Sequence, residues 1–326
     1  MRNKNIQFSF LVIMMLASMV ACKKEEYTIP DPVSQLTNDC IKRTIGPSIV
    51  SLPLEFAYAM AIPKSSGKLV SAQVEASIAG ASGTYLENRS FYTNSSGVDV
   101  PVLVGSPSLT VDKTTKMTYS IDTNAATLRY YYVIPEGARG QSVSFTFTVT
   151  SSDGKTASYK MGPYTISKMS IKRNLAVSNG VNAYISIEDM AVYNAAAAAA
   201  APGKIDLVYL FRAAPTTFTH ALVSPGADAA YLPGVVLPSG LNRSTKLRKV
   251  FNLQDRNLAN LQFGIYVDDV DLINVDMVDM PNYAIGLRAE AGVWVETADK
   301  KYRAYIFVNS INAAGTAVIS MLRYTL

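Results

Sequence analysis

The chain has 326 residues, too many for one ordinary domain, and about half are hydrophobic, enough to bury two sizeable cores. Its formal charge of +5 includes Arg2 and Lys4 of a segment expected to be removed, which leaves +3. With so little charge and no basic stripe interleaved with aromatics, nucleic acid is excluded as a partner.

Arg2 and Lys4 precede a run from Ile6 to Val20 that is apolar except for Gln7 and two serines. That is the pattern of a signal peptide, too short for a comfortable membrane span. Met19-Val20-Ala21-Cys22 resembles a lipobox, so residues 1–21 are expected to be cut away and Cys22 to carry lipid. Lys23-Lys24-Glu25-Glu26 resembles the surface-export signal of Bacteroidetes lipoproteins, and Ile29-Pro30-Asp31-Pro32 reads as an extended spacer, giving a tether over 22–32. Cys40 is the other cysteine. With Cys22 acylated no intramolecular disulfide forms, so the domains must be held by their cores.

Residues 33–168 read as an immunoglobulin-like β-sandwich. Val70, Ala72, Val74, Ala76 and Ile78 alternate with polar partners, as do Val143, Phe145, Phe147 and Val149. A period of two marks half-buried strands. Further strands are expected over 54–60, 98–104, 116–122, 128–134 and 158–166, separated by turns such as Asn94-Ser95-Ser96-Gly97 and Ser152-Asp153-Gly154. In Tyr130-Tyr131-Tyr132 the alternation puts Tyr130 and Tyr132 on one face and Tyr131 on the other, where it is a candidate ligand contact.

After a connector over 168–182, residues 169–326 read as a β-rich domain with one or two short helices. A strand over 183–187 leads through Ser186-Ile187-Glu188-Asp189, with capping-box spacing, into a helix over 190–201 that ends at Pro202-Gly203. The strand over 205–212 is apolar on both faces and therefore central. Residues 224–244 form a long Pro/Gly/Ala-rich loop, and Asn252 with Asp255 caps a short helix through Leu261. Strands over 283–289, 292–297, 302–309 and 316–324 follow as an antiparallel meander.

Chemistry is sparse. His220 is the one histidine, in a strand end with no nucleophile elbow nearby, so a structural role is expected, and a histidine-based zinc site lacks ligands. The acids Asp268, Asp269, Asp271, Asp276 and Asp279 suit calcium by ligand type but match no EF-hand spacing, and they serve equally to keep an edge strand solvated. No metal, cofactor or catalytic residue is therefore expected. In Gly292-Val293-Trp294-Val295-Glu296 the alternation sets Trp294 and Glu296 on the less buried side. There an exposed ring beside a carboxylate makes a stacking platform for a sugar or an apolar side chain, unless the Trp packs under the long loop.

The lipobox, the charged tether and the two β-rich domains together resemble the accessory surface lipoproteins of Bacteroidetes, as do the stretches at 69–78, 128–135, 205–210 and 289–297. These proteins form a family with a domain of unknown function, often encoded beside starch-utilisation-system-like or RagAB-like uptake complexes. The resemblance implies an outer-membrane, lipid-anchored protein that captures a peptide or oligosaccharide for a nutrient transporter. It brings no functional residue set. The residues themselves point to a non-enzymatic binding protein using Trp294, Glu296 and Tyr131 near the loop 224–244. The alternative is a structural, adhesive or scaffolding lipoprotein without a small ligand.

Overall fold

The computed structural model describes residues 35–259 and 264–326. The signal segment, Cys22 and the charged tether lie outside them. Eleven strands build the first half: β1 (Thr37–Lys42), β2 (Pro53–Ala61), β3 (Leu69–Ala76), β4 (Tyr85–Leu86), β5 (Arg89–Thr93), β6 (Asp99–Leu103), β7 (Leu109–Val111), β8 (Thr114–Thr118), β9 (Ala125–Val133), β10 (Ser142–Ser151) and β11 (Thr156–Thr165). They form a sheet of order β1-β2-β9-β4 facing one of order β11-β10-β3-β8-β7, with β5-β6 as a separate hairpin. With β5–β8 set aside, this usage resembles the ABED and GFC sheets of constant-type immunoglobulin sandwiches. Between the sheets pack Phe56, Tyr58, Tyr130, Tyr132, Phe145 and Phe147, with the Phe56 and Phe145 ring centroids 4.8 Å apart.

The second half contributes β12 (Ser170–Ser178), β13 (Tyr184–Ser186), β14 (Ala191–Tyr193), helix α1 (Ala195–Ala200), β15 (Leu207–Arg212), β16 (Thr219–Val223), β17 (Lys246–Val250), α2 (Arg256–Ala259), α3 (Asp269–Asn274), β18 (Tyr283–Leu287), β19 (Gly292–Glu296), β20 (Tyr302–Asn312) and β21 (Thr316–Thr325). Two five-stranded sheets result, β12-β21-β20-β19-β17 and β14-β13-β15-β16-β18. Val293, Val295, Ile306, Val308 and Ile319 of the first meet Ile185, Leu207, Leu222 and Leu287 of the second in one buried core. The protein is thus mainly β.

Both outer faces of this second sandwich are also covered. Over the first sheet, α2, α3 and their flanks lay Leu258, Val267, Leu272 and Met277 onto Trp294, Tyr305, Phe307 and Leu322. Over the second, α1 and the loop 224–244 bring Ala198, Leu241 and partly buried Leu232 and Val235 against Val208, Leu210 and Ala221. Ile49 and Met169 extend the first cover to the seam between the halves, where Tyr266 lies against Gly46 at φ +81°.

Several sequence expectations are corrected here. The connector 168–182 is the edge strand β12, whose pairing with β21 shifts register between Lys172 and Leu175. The helix expected over 190–201 starts only at Ala195, because Tyr184–Ser186 pairs with Ala191–Tyr193 as a hairpin. The cap moves to Asn194, whose side chain accepts from Ala197 N at 2.9 Å; such a cap contributes about 1 kcal/mol. Asp255 caps α2 by accepting from Leu258 N at 3.0 Å, while Asn252 sits at φ +59° outside the cap. The expected helix end at Leu261 lies outside the described residues. Finally, β18 is not part of the meander of β19, β20 and β21. It crosses to the other sheet and pairs with β16.

Candidate functional site

The structure disperses the three ligand-contact residues expected from alternation. Trp294 is 8% exposed, its ring 4.7 Å from Tyr305 beneath the α2–α3 cover. The alternation is real, but a second layer hides the face that would have been exposed. Glu296 is 7% exposed and takes both Nε and Nη2 of Arg303, at 2.9 and 2.8 Å. The loop 224–244 covers the opposite outer face of the sandwich, so it cannot share a site with Trp294. Tyr131 belongs to the other half. On the outer face of β9 it stacks on Tyr85 at 4.9 Å and 18°, beside Glu55 and Arg129.

Nor do the acids of 268–279 converge on a cation. Asp268 and Asp271 form a capping box at the start of α3, and Asp269 accepts from Ser167 Oγ and Lys168 N. Asp276 accepts from Val278 N at 2.9 Å. Among the described residues, no three His, Cys, Asp or Glu side chains are grouped to hold a metal ion.

A concavity of about 1070 Å³ opens at one end of the second sandwich. Its walls come from four separate places: the end of β15 with the turn into β16, the end of β17, the end of β18 and the β20–β21 turn. Phe211, Phe251, Leu287 and Ile311 supply apolar surface, Thr216 and Thr217 supply hydroxyls, and Lys249 and Arg288 supply positive charge. No carboxylate is among the lining side chains. Clefts of this size and mixed lining are those that take small molecules and short polymers.

His220 sits in the floor, 4% exposed, with its ring 4.6 Å from that of Phe211. Its Nδ1 shares a 2.6 Å hydrogen bond with the buried Tyr209 hydroxyl, leaving Nε2 as the ring nitrogen without a hydrogen-bond partner among the described residues. Burial pushes the imidazole below its usual value, so the ring is neutral at pH 7. Lys249 Nζ donates to Ile285 O at 2.7 Å and lies 5.2 Å from the Phe251 ring centroid. Gly286, at φ +65°, lets the backbone pass close to Thr217 O, where a Cβ would come within 3.0 Å.

Sequence reasoning singled out His220 only as structural and missed the rest of this cleft. Phe211, Phe251 and Arg288 are each unremarkable in their own segments; only the packing of two sheets brings their ends together.

A two-sandwich β protein with a ligand-sized cleft, its second sandwich clad on both faces, is the class defined by these features. The chain belongs to the DUF4466 family. Residues 33–166 match the domain of unknown function DUF4466, and residues 167–326 match a second domain of unknown function, DUF8576. The crystal structure of a DUF4466 family protein from Parabacteroides merdae is 48% identical and superposes with a TM-score of 0.86, over 90% of this chain and 100% of that one. The Actinomyces fimbrial adhesin FimA is 10% identical with a TM-score of 0.26, over 46% of this chain and 66% of that one. The major pilin subunit BcpA of Bacillus cereus is 8% identical with a TM-score of 0.28, over 89% and 66%. No curated protein matches the chain.

Proposed function

We propose that this protein is a lipid-anchored binding protein of the bacterial outer-membrane surface, which captures a peptide or oligosaccharide nutrient for an uptake complex. The observation that carries the binding part is the 1070 Å³ cleft, built from apolar walls, free hydroxyls and positive charge. The export part rests on the signal-like segment and on Cys22 with its charged tether. A relative from Parabacteroides, a Bacteroidetes genus, supports the bacterial group. The role beside a transporter rests on the family resemblance alone.

Isothermal titration of the purified protein with a peptide digest and with an oligosaccharide panel tests the reading. Saturable heat with one class is expected, and Ala313→Trp, which plants an indole on the exposed turn at the cleft's edge, should abolish it. Binding that survives this substitution removes the cleft from the proposal.

Exposed apolar side chains on β6 and β7 favour a second reading, as a scaffold. Leu103, Leu109 and Val111 are 61%, 70% and 62% exposed, and β7 ends its sheet. Under that reading a transporter subunit co-purifies stably, Leu109→Lys with Val111→Lys releases it, and no soluble ligand is found.

A further inference from the structure

Many arginines of this protein are tied down, and one at the cleft is not. Arg43, Arg89, Arg129, Arg139, Arg243 and Arg303 each stand against a carboxylate. Arg173, Arg248 and Arg323 donate to backbone carbonyls. Arg288 does neither with any described residue, although it is exposed and follows directly on β18 at the cleft wall. Lys249, which also lines the cleft, is tied to Ile285 O and the Phe251 ring but meets no carboxylate among the described residues. Glu290, two positions beyond Arg288, takes Gln254 at 2.9 Å instead and does not line the cleft.

Two cations that meet no carboxylate among the described residues therefore share a concave, partly apolar site, where their field is less screened than on a flat surface. A guanidinium held free in such a place is suited to pair with a carboxylate through two parallel hydrogen bonds. His220 adds a third group. In the tautomer in which the Tyr209 hydroxyl donates to Nδ1, the ring proton sits on Nε2, the nitrogen with no partner among the described residues. The apolar part of the lining, Phe251 above all at 54% exposed, can cover an apolar side chain next to that charge.

We infer that the cleft binds an acidic peptide, with Arg288 and Lys249 taking its carboxylate, His220 donating to it, and Phe251 covering an adjacent apolar side chain. The inference rests on the cleft being the ligand site and specifies what that site takes.

The test is retention by the immobilised protein of two random hexapeptide libraries. One carries Asp, Glu and free C-termini; the other has Asn and Gln in their place and amidated ends. The acidic library is expected to be retained, at least about tenfold more than the neutral one, and to be released as salt is raised. Arg288→Gln should cut this retention about tenfold or more without changing thermal stability, because the Arg288 side chain ties down no described residue. Arg212→Gln is the control. It too removes an exposed arginine without a partner among the described residues, but one that does not line the cleft, and retention should be unchanged.

Equal retention of both libraries, lost in Ala313→Trp, keeps the cleft as the binding site and overturns the carboxylate assignment. Acidic retention that Ala313→Trp does not touch overturns both. Retention of oligogalacturonate with neither peptide library overturns the peptide assignment, as does retention of nothing.

Discussion

Trp294 offers the sharpest check on how the second sandwich is built. Alternation in β19 alone puts this ring on the side away from Val293 and Val295, where truncation to Ala would change stability by about 0.5 kcal/mol or less. In the structure the ring is 8% exposed, against Tyr305 and under the α2–α3 cover. A tryptophan removes some 150–250 Å² from water. At about 25 cal/mol per Å² that is roughly 4–6 kcal/mol, an upper bound because the unfolded chain already shields part of it. Measured aromatic truncations in cores, about 3–5 kcal/mol, set the expectation for Trp294→Ala. Urea unfolding followed by far-UV circular dichroism gives the number, since the variant has no tryptophan left to report. In the wild-type protein, the emission should be blue-shifted relative to unfolded chain and poorly quenched by iodide. A loss under about 1 kcal/mol, or an emission already like that of the unfolded chain, would refute the burial argument and return Trp294 to the list of surface contacts.

Two further stability predictions follow from buried carboxylates. Asp206 is 1% exposed and accepts from Ile187 N, Arg243 Nε and Thr245 Oγ1; burial outweighs these partners and lifts its carboxyl to about 6. The folded state thus binds this proton more tightly than the unfolded one. The associated stability is complete below pH 4 and disappears as pH rises through about 6, a change on the order of 3 kcal/mol. The wild-type unfolding free energy minus that of Asp206→Asn should fall by this amount between pH 4 and 7, and a difference independent of pH would contradict it. Asp255 is fully buried and holds Leu258 N at 3.0 Å and Val267 N at 2.6 Å. Its truncation to Ala strands both donors and should cost about 2–4 kcal/mol in thermal or urea unfolding. A wild-type midpoint would show that water replaces the carboxylate.

Much of the β architecture was legible from local pattern. Phe145, Phe147 and Val149 alternate with Thr and Ser, and they lie buried along β10; Tyr130 and Tyr132 face in while Tyr131 faces out. The same logic failed for β12. There Lys172, Arg173 and Asn174 interrupt the period where the strand shifts register, and so hide it. It failed also for poly-Ala, where helix propensity extends a helix backward through residues that hairpin pairing claims.

A strand's own residues determine which side chains share a face, because successive Cβ atoms point to opposite sides of the sheet. Alternation, turn residues and the apolar share therefore make this a chain of half-buried strands, whatever lies around it. Whether the other face meets water depends on what the rest of the chain lays over it, and no local period records that. Tertiary packing alone buried Trp294 beneath α2 and α3 and Glu296 against Arg303, and it alone brought Arg288 and Lys249 to one cleft. Those residues lie far apart in sequence, and only the packing of the two sheets carries their strand ends to one place.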